Sequence, residues 1–378
     1  MTTKLLAHNT RYVHWLADVY SAVFAPANRQ MPIASVVSSN FRKKKKMKTH
    51  LTILALILTL ISCETKHSET TKETIKLDCG IINIKIDTFN ISTVGNFEKV
   101  ALYHNNFYLV FEKPDSYNGK PKRKIIIIDS IGNKIGKVSV PKDELEDIAY
   151  FDFGIESDSL FIKKTHSFSE STFVLDEKKS KLKVTKVRLL TQYKDNEYFV
   201  YVIDRGEFGS GTFFKNMKTL WTGRVNTGCL NSTPAIINKI DSNYYISNSS
   251  TFLEGYARIL KVNYLKSFKE TPFIFDKNQY ISNKGVEIAL DSARMYMSTC
   301  FVKEKKLLCI YTVENETYLG EISNKNVKQL YKFKFKFDAI LTSQLENEKQ
   351  ILSVYFYESK KNGIMTIDKN NIEFHILN

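Results

Sequence analysis

The stretch IIIIDSIGNKIG, residues 125–136, contains the pattern that decides the fold of this chain. Its first four residues are isoleucines, an apolar, β-branched run that favours a β-strand, and Gly132-Asn133 marks a turn before a second strand. The same order of strand, Asp or Asn, turn and strand recurs in FVLDEKKSKL (residues 173–182) and MTIDKNNIEF (residues 365–374). No segment keeps a helical period for long, so the sequence predicts an all-β protein.

Groups of such strands follow one another at intervals of about 40–50 residues, the spacing of propeller blades, each of which is a four-stranded sheet. The recurring hairpin resembles the outer hairpin of many propeller blades. We therefore predict a β-propeller-like domain over residues 77–378, with six blades. The blades are assigned to residues 94–141, 146–188, 193–225, 234–270, 285–332 and 337–378.

Two alternatives to this prediction stay open. The third and fourth segments are short for four strands, so five or seven blades also fit. A β-sandwich with appended sheets is the second alternative, although one ordinary sandwich has only about 100 residues.

The segment KFKFKFD, residues 332–338, alternates lysine with phenylalanine. Because successive side chains of a strand point to opposite faces, this pattern predicts a strand in which Lys332, Lys334 and Lys336 form a solvated face.

A basic and then apolar segment precedes the domain. Arg42 to Lys46 and Lys48 are basic, and an apolar run follows from Leu51 to Ile61. This order is that of a secretory signal, and the run is shorter than the about 20 residues of a membrane-spanning helix. At its end, Leu60-Ile61-Ser62-Cys63 resembles the bacterial lipobox. The resemblance implies that a diacylglyceryl group is attached to the Cys63 thiol and that the chain is cleaved just before it.

The lipobox also implies an organisation and a location. Residues 47–62 are expected to form a lipoprotein signal peptide, and the polar residues 63–76 a flexible tether. The domain then resembles those of bacterial propeller lipoproteins. We expect it outside the cytoplasm, held by lipid to a membrane of the bacterial envelope, the outer rather than the inner one.

The residues before Met47 need a separate explanation. Four lysines, residues 43–46, directly precede this methionine, and a lysine run is what an A-rich untranslated leader gives when it is read as codons. We interpret residues 1–46 as an over-extended start that is not part of the native protein. A genuine N-terminal helix around residues 12–24 is the alternative.

The charge of the chain depends on this leader. The net charge is +15, but nine of the 55 Lys and Arg residues and one of the 40 Asp and Glu residues lie in residues 1–62. The net charge over residues 63–378 is therefore +7, an ordinary solvated surface for a domain of this size. We expect no nucleic acid among the partners.

The cysteines predict neither a metal site nor a cofactor. They form no CxxC pair, and no histidine lies at metal-ligand spacing from them. The segment MSTCFVKEKKLLCIY, residues 297–311, reads as two strands around a Glu304-Lys305 turn, which places Cys300 opposite Cys309 at a non-hydrogen-bonded position. A disulfide and two buried free thiols both fit this register.

The densest polar loop runs from Asp204 to Gly211. It combines three glycines with the charged residues Asp204, Arg205 and Glu207. It is either a ligand-facing loop or a tight bulge in which these charges pair locally. GEFGSG is not a dinucleotide-binding GxGxxG. Polar segments at residues 226–234 and 244–258 are further candidates.

No catalytic signature is recognisable in the sequence. His104, His166 and His375 are isolated and have no triad pattern. We therefore expect a non-catalytic binding or scaffold module that presents propeller loops to a glycan, a peptide or an envelope protein. One alternative is an envelope hydrolase or lyase for sugars or peptides, with Glu207 or Asp204 as acid or base. Another is an immunity or stress lipoprotein that occludes a partner.

Overall fold

The computed structural model describes residues 70–91, 95–113, 122–140, 151–156, 158–164, 172–185, 191–204, 210–228, 235–250, 255–263, 265, 285–344 and 349–378. These residues belong to the compact unit Ser68–Asn378. The predicted leader, the predicted lipidation site Cys63, Arg205 and Glu207 lie outside the described residues. Among those described, no helix is long and apolar enough to span a membrane.

Strands β3 to β26 form six four-stranded antiparallel sheets in chain order, the blades of a β-propeller. Blades 1 and 2 contain β3 (Asn96–Tyr103), β4 (Asn106–Glu112), β5 (Arg123–Ile128), β6 (Lys134–Val138), β7 (Phe151–Glu156), β8 (Ser159–Lys164), β9 (Thr172–Asp176) and β10 (Lys181–Thr185). Blades 3 and 4 contain β11 (Tyr193–Lys194), β12 (Tyr198–Asp204), β13 (Ser210–Asn216), β14 (Thr222–Gly228), β15 (Ile236–Ile240), β16 (Asn243–Ser250), β17 (Tyr256–Val262) and β18 (Val286–Ala293). Blades 5 and 6 contain β19 (Tyr296–Lys303), β20 (Lys306–Val313), β21 (Glu316–Ser323), β22 (Asn326–Lys332), β23 (Phe337–Gln344), β24 (Gln350–Phe356), β25 (Lys361–Asp368) and β26 (Asn371–Leu377). The predicted all-β propeller with six blades is confirmed.

Two N-terminal strands close the ring by extending blade 6. β1 (Thr71–Leu77) pairs antiparallel with β2 (Gly80–Phe89), and β2 pairs in parallel with β26. The predicted polar tether therefore ends earlier than residue 76. Thr71 to Lys76 form a strand because their backbone groups pair with β2 and because Ile75 is buried in the core.

The blade boundaries need one correction. β18 was assigned to the fifth segment, but it pairs with β17 and is the outer strand of blade 4. Residues 263–285 separate the two strands along the chain, so sequence proximity grouped β18 with β19 instead.

The predicted strand at residues 332–338 is also wrong. β22 ends at Lys332 and β23 begins at Phe337, so this segment crosses from blade 5 to blade 6. Phe333 and Phe337 nevertheless point inward, where their rings meet edge to face 5.2 Å apart, and both pack against Phe374.

The core consists of apolar layers between neighbouring blades. One cluster joins blades 1 and 2 around Phe151 and Phe173, and another joins blades 3 and 4 around Phe214 and Tyr244. Further clusters join blades 4 and 5, blades 5 and 6, and blades 6 and 1, so most of the blade interfaces in the described part of the chain are apolar.

The four strands of a blade alternate in direction, so its connections separate into two ends. Connections between the second and third strands, and those between blades, lie at what we call the loop-bearing end. In blades 1 to 4 these connections are residues 113–122, 139–150, 165–171, 186–192, 205–209, 229–235 and 251–255. Within these four-stranded sheets, the remaining connections lie at the turn end, and among the described residues they include five two-residue turns: residues 104–105, 241–242, 304–305, 324–325 and 369–370. The longest connection of the turn end is residues 263–285.

Candidate functional site

The propeller topology brings the three candidate polar segments to one end of neighbouring blades. Residues 205–209 connect β12 to β13 in blade 3, residues 229–235 connect β14 to β15, and residues 251–255 connect β16 to β17 in blade 4. All three belong to the loop-bearing end. Sequence reasoning found these segments singly, because their proximity follows from the strand order.

The charged loop itself is described only at its margins. Asp204 pairs through its backbone with Ser210 across the hairpin of β12 and β13. The opposite side, between Ser210 and Gly211, carries a register shift against β14. A bulge is therefore present beside the loop, while the joint role of Asp204, Arg205 and Glu207 stays a prediction.

Gly211 makes room for a buried arginine. A Cβ atom at this position would lie 2.8 Å from Nε of Arg224, which comes from β14. The Arg224 guanidinium lies 5.7 Å from the centroid of the Phe213 ring, a distance at which a cation interacts with the ring face. One of the three glycines therefore has a packing role, namely the close approach of Arg224.

A charged network missed by the sequence analysis joins blades 1 and 2 at the loop-bearing end. Arg123 donates two hydrogen bonds to Glu98, of 2.7 and 2.9 Å, and Lys99 lies 2.5 Å from Asp152. Both cations lie over the Phe151 ring, at 4.9 Å for Arg123 and 5.3 Å for Lys99. The only sequence signal was the adjacent Glu98-Lys99 pair, which interrupts the alternation of β3 where the register shifts.

Blade 4 carries a second charged group at this end. Asp291 accepts hydrogen bonds from the Tyr256 hydroxyl at 2.5 Å and from Nη2 of Arg258 at 2.9 Å. Burial raises the pKa of Asp291, but the hydrogen bonds from Tyr256 and Arg258 outweigh it and hold the pKa below its ordinary value. The carboxylate is thus ionised and fixed in place.

Side chains from neighbouring blades occupy the axial side of β19. Because Cys300 and Cys309 form a non-hydrogen-bonded pair, the carbonyl of Cys300 points away from β20. It accepts hydrogen bonds from the amides of Asn238 in blade 4, at 3.1 Å, and of Gln350 in blade 6, at 2.6 Å. Tyr296 likewise donates to the carbonyl of Ala339 at 3.2 Å. These contacts satisfy edge groups of the inner strands and fill this part of the channel.

Cys300 and Cys309 lie opposite each other in the register of β19 and β20, around the expected Glu304-Lys305 turn. Both are buried and both are free thiols. Burial, and then the neighbouring Cys300, raise the pKa of Cys309 well above its ordinary value. Within the described ranges, no group of three or more His, Cys, Asp or Glu side chains is placed to hold a metal ion.

Comparison with known proteins identifies similar folds only. No family model matches the chain, and no curated protein matches it. A putative 6-phosphogluconolactonase from Bacteroides fragilis is 9% identical, with a TM-score of 0.38, over 82% of this chain and 99% of that one. The β-propeller domain of the Trilobed protease from Pyrococcus furiosus is 12% identical, with a TM-score of 0.32, over 73% of this chain and 96% of that one.

A post-proline cleaving enzyme from Rickettsia typhi is 11% identical, with a TM-score of 0.36, over 87% of this chain. This chain spans only 55% of that enzyme, and 42% of a prolyl endopeptidase to which it is also similar. At such identities and TM-scores, shared chemistry does not follow.

Proposed function

We propose that this protein is a lipid-anchored, non-catalytic binding module of the bacterial cell envelope, and that it engages an envelope protein or peptide through its loop-bearing end. The observation that carries this proposal is the difference between the two ends. In blades 1 to 4, seven of the eight connections at the loop-bearing end have 5–12 residues and are mostly polar in sequence. The turn end of these blades has short turns such as residues 104–105 and 241–242, together with one long connection, residues 263–285. Binding residues are concentrated on loops that a rigid scaffold positions.

The filled axial side of β19 supports a macromolecular partner over a small substrate. Asn238 and Gln350 meet at the carbonyl of Cys300, where a deep axial pocket would otherwise extend. A ligand at this end then rests on loops and rim, as protein partners do.

The direction of β1 supports a partner at the same membrane. β26 runs toward the loop-bearing end, β2 is parallel to it and β1 is antiparallel to β2, so Thr71 lies toward the loop-bearing end. The eight residues from Cys63 to Thr71 reach at most about 29 Å when fully extended. A lipid on Cys63 therefore keeps this end of the propeller close to the bilayer.

Anchoring is tested by labelling cells with palmitate. We expect label in the wild type, no label in Cys63→Ser, and release of that variant to the soluble fraction. Equal labelling of both proteins would exclude the anchor.

Binding is tested separately by crosslinking in intact cells. The double variant Arg205→Ala/Glu207→Ala removes one cation and one anion at the loop-bearing end. Its control, Lys305→Ala/Asp241→Ala, removes an exposed ion pair of 2.9 Å at the turn end. We expect crosslinked species to be lost in the first variant and kept in the control. Identical crosslinking of wild type and both variants would refute the proposal.

A further inference from the structure

A cleft lies at the rim of the propeller, between blades 4 and 5. Its volume is about 340 Å³, and it is lined on one side by residues of β18 and on the other by residues of β20, β21 and β22. This volume is at the low end of small-molecule sites, which measure about 300–1,000 Å³. None of its lining residues belongs to the seven loop-bearing connections of blades 1 to 4 that are named above.

The aromatic floor of the cleft is the partly exposed ring of Tyr318, which the buried ring of Tyr311 supports. Tyr311 of β20 and Tyr318 of β21 are direct cross-strand neighbours, and their rings stack with centroids 5.5 Å apart and planes inclined by 28°. Gly320 allows this arrangement, since a Cβ atom there would lie 2.8 Å from Cε1 of Tyr311. The Tyr318 hydroxyl donates to Glu316 at 2.5 Å, which fixes the second ring.

Polar side chains that supply both hydrogen-bond donors and hydrogen-bond acceptors surround this floor. The hydroxyl of Ser292 and the amides of Asn326 and Gln329 can donate and accept. Asp291 adds an acceptor that Tyr256 and Arg258 hold in place. The lining therefore pairs a flat apolar surface with fixed polar partners.

The lining carries little effective charge. Asp291 contributes one carboxylate, which Arg258 already pairs at 2.9 Å, and Lys325, in the turn between β21 and β22, contributes one exposed ammonium group. Solvent screens an exposed ammonium group, so a charged ligand gains little Coulomb energy here, which favours an uncharged ligand.

We infer that this cleft binds a neutral saccharide of one or two pyranose units. A pyranose has C–H faces that pack on aromatic rings and a perimeter of hydroxyls that both donate and accept hydrogen bonds. The Tyr318 ring, supported from behind by Tyr311, matches one face, and Asn326 and Gln329 match the hydroxyls. The small volume excludes a longer chain from full burial.

The test uses saturation-transfer NMR on the full chain with maltose, cellobiose and N,N′-diacetylchitobiose as probes, and an uncharged tetrapeptide as a comparison. We expect transfer to at least one disaccharide and none to the peptide. Tyr318→Ala should weaken binding about tenfold, because it removes the exposed ring of the aromatic floor. Gln329→Ala should weaken it about threefold through the loss of one hydrogen bond.

Tyr355→Ala is the matched control, since Tyr355 is an exposed tyrosine on blade 6 whose ring lies 5.2 Å from that of Tyr357. It should bind as the wild type does. The absence of transfer to all three disaccharides would overturn the proposal, as would transfer to the peptide alone. The proposal would also be overturned if Tyr318→Ala and Gln329→Ala each bound the disaccharide as tightly as the wild type does. Circular dichroism melts check that each variant folds. If Tyr318→Ala does not fold, the affinity of Gln329→Ala decides the test, because Gln329 is exposed and its substitution should not disturb the fold.

Discussion

Asp87 and His375 face each other across the parallel pair of strands that closes the propeller. They are direct neighbours in the register of β2 and β26, and Nδ1 of His375 contacts Oδ1 of Asp87. His375 is buried and stacks on Phe89 with ring centroids 4.3 Å apart. Lys85 lies 2.8 Å from the other carboxylate oxygen of Asp87. A paired charge thus lies at the seam where the N-terminal strands join blade 6.

We expect Asp87→Asn to destabilise the closed ring by about 1–3 kcal/mol at pH 7, because a buried group loses its charged partner. Burial raises the pKa of Asp87, but hydrogen bonds from His375 and Lys85 more than offset it, so the pKa is lowered. A carboxylate with a lowered pKa stabilises the fold above its unfolded pKa of about 3.9, and this contribution is lost as the pH falls through the folded value.

Urea unfolding at pH 7 and at pH 3 measures this difference. The difference in the free energy of unfolding between wild type and Asp87→Asn should be smaller at pH 3 than at pH 7. Asp368→Asn is the control, since Asp368 forms an exposed pair of 3.7 Å with Lys349, and its effect should stay below about 1 kcal/mol. A gap that is equally wide at both pH values would show that the charge of Asp87 is not responsible.

Asp195 holds the turn between β11 and β12 by accepting four hydrogen bonds. Nζ of Lys239 and the Tyr244 hydroxyl donate at 2.6 Å, and the backbone N–H groups of Glu197 and Tyr198 at 2.8 Å. Asp195→Ala leaves these donors without their acceptor, so we expect a loss of about 2–4 kcal/mol. Tyr244→Phe, which removes a single hydroxyl, should cost about 1 kcal/mol. Thermal and urea melts check both values, and equal effects of the two variants would contradict the central role of the carboxylate.

His104 interacts with two carboxylates at the turn end. Its Nε2 lies 2.8 Å from Asp158 and its Nδ1 lies 3.4 Å from Glu177. The hydrogen bond to Asp158 is the main reason that the pKa of His104 is raised. A histidine with a raised pKa stabilises the fold below its unfolded pKa of about 6.5, and this contribution fades as the pH rises through the folded value.

An NMR titration of the His104 ring should give a pKa above that of a model peptide in the wild type. In Asp158→Asn the pKa should fall toward the ordinary value. The stability difference between wild type and His104→Gln should be small, because the site is exposed, and it should be present at pH 5.5 and absent at pH 8.5. A stability difference that is present at pH 8.5 and absent at pH 5.5 would refute the stabilising role assigned to protonated His104.

The sequence predicts the blades well because each is built from local hairpins. IIIIDSIGNKIG forms β5, its turn and β6, and the Glu304-Lys305 turn sets the register of Cys300 with Cys309. The failures involve contacts that are remote along the chain. β18 was misplaced because residues 263–285 separate it from β17, and the closure by β2 depends on β26 at the other end of the domain.

The site was less predictable than the fold for the same reason. The cleft takes Ser292 from β18 of blade 4, and Tyr311 and Gln329 from β20 and β22 of blade 5, so no short motif contains them. The role of Gly211 depends on Arg224 of the next strand, which a loop composition does not reveal. Topology, however, places residues 205–209 and 251–255 at one end without any side-chain information.

The three buried cysteines of the described residues should differ in the rate at which they react with iodoacetamide. Cys300 and Cys309 lie in the first two strands of blade 5, whereas Cys79 lies in the turn between β1 and β2, at the outer edge of blade 6. Burial raises the pKa of both Cys79 and Cys309 and suppresses the reactive thiolate. Outer-edge hairpins open locally at a lower free energy than inner strands, which open with the whole domain. We therefore expect Cys79 to react first, and Cys300 and Cys309 to react together only under conditions that unfold the propeller.

Peptide-resolved mass spectrometry follows each site. Two peptides joined through Cys300 and Cys309, with the loss of two hydrogens, would show a disulfide instead of two thiols. Simultaneous labelling of Cys79, Cys300 and Cys309 would show that the β1–β2 hairpin does not open on its own.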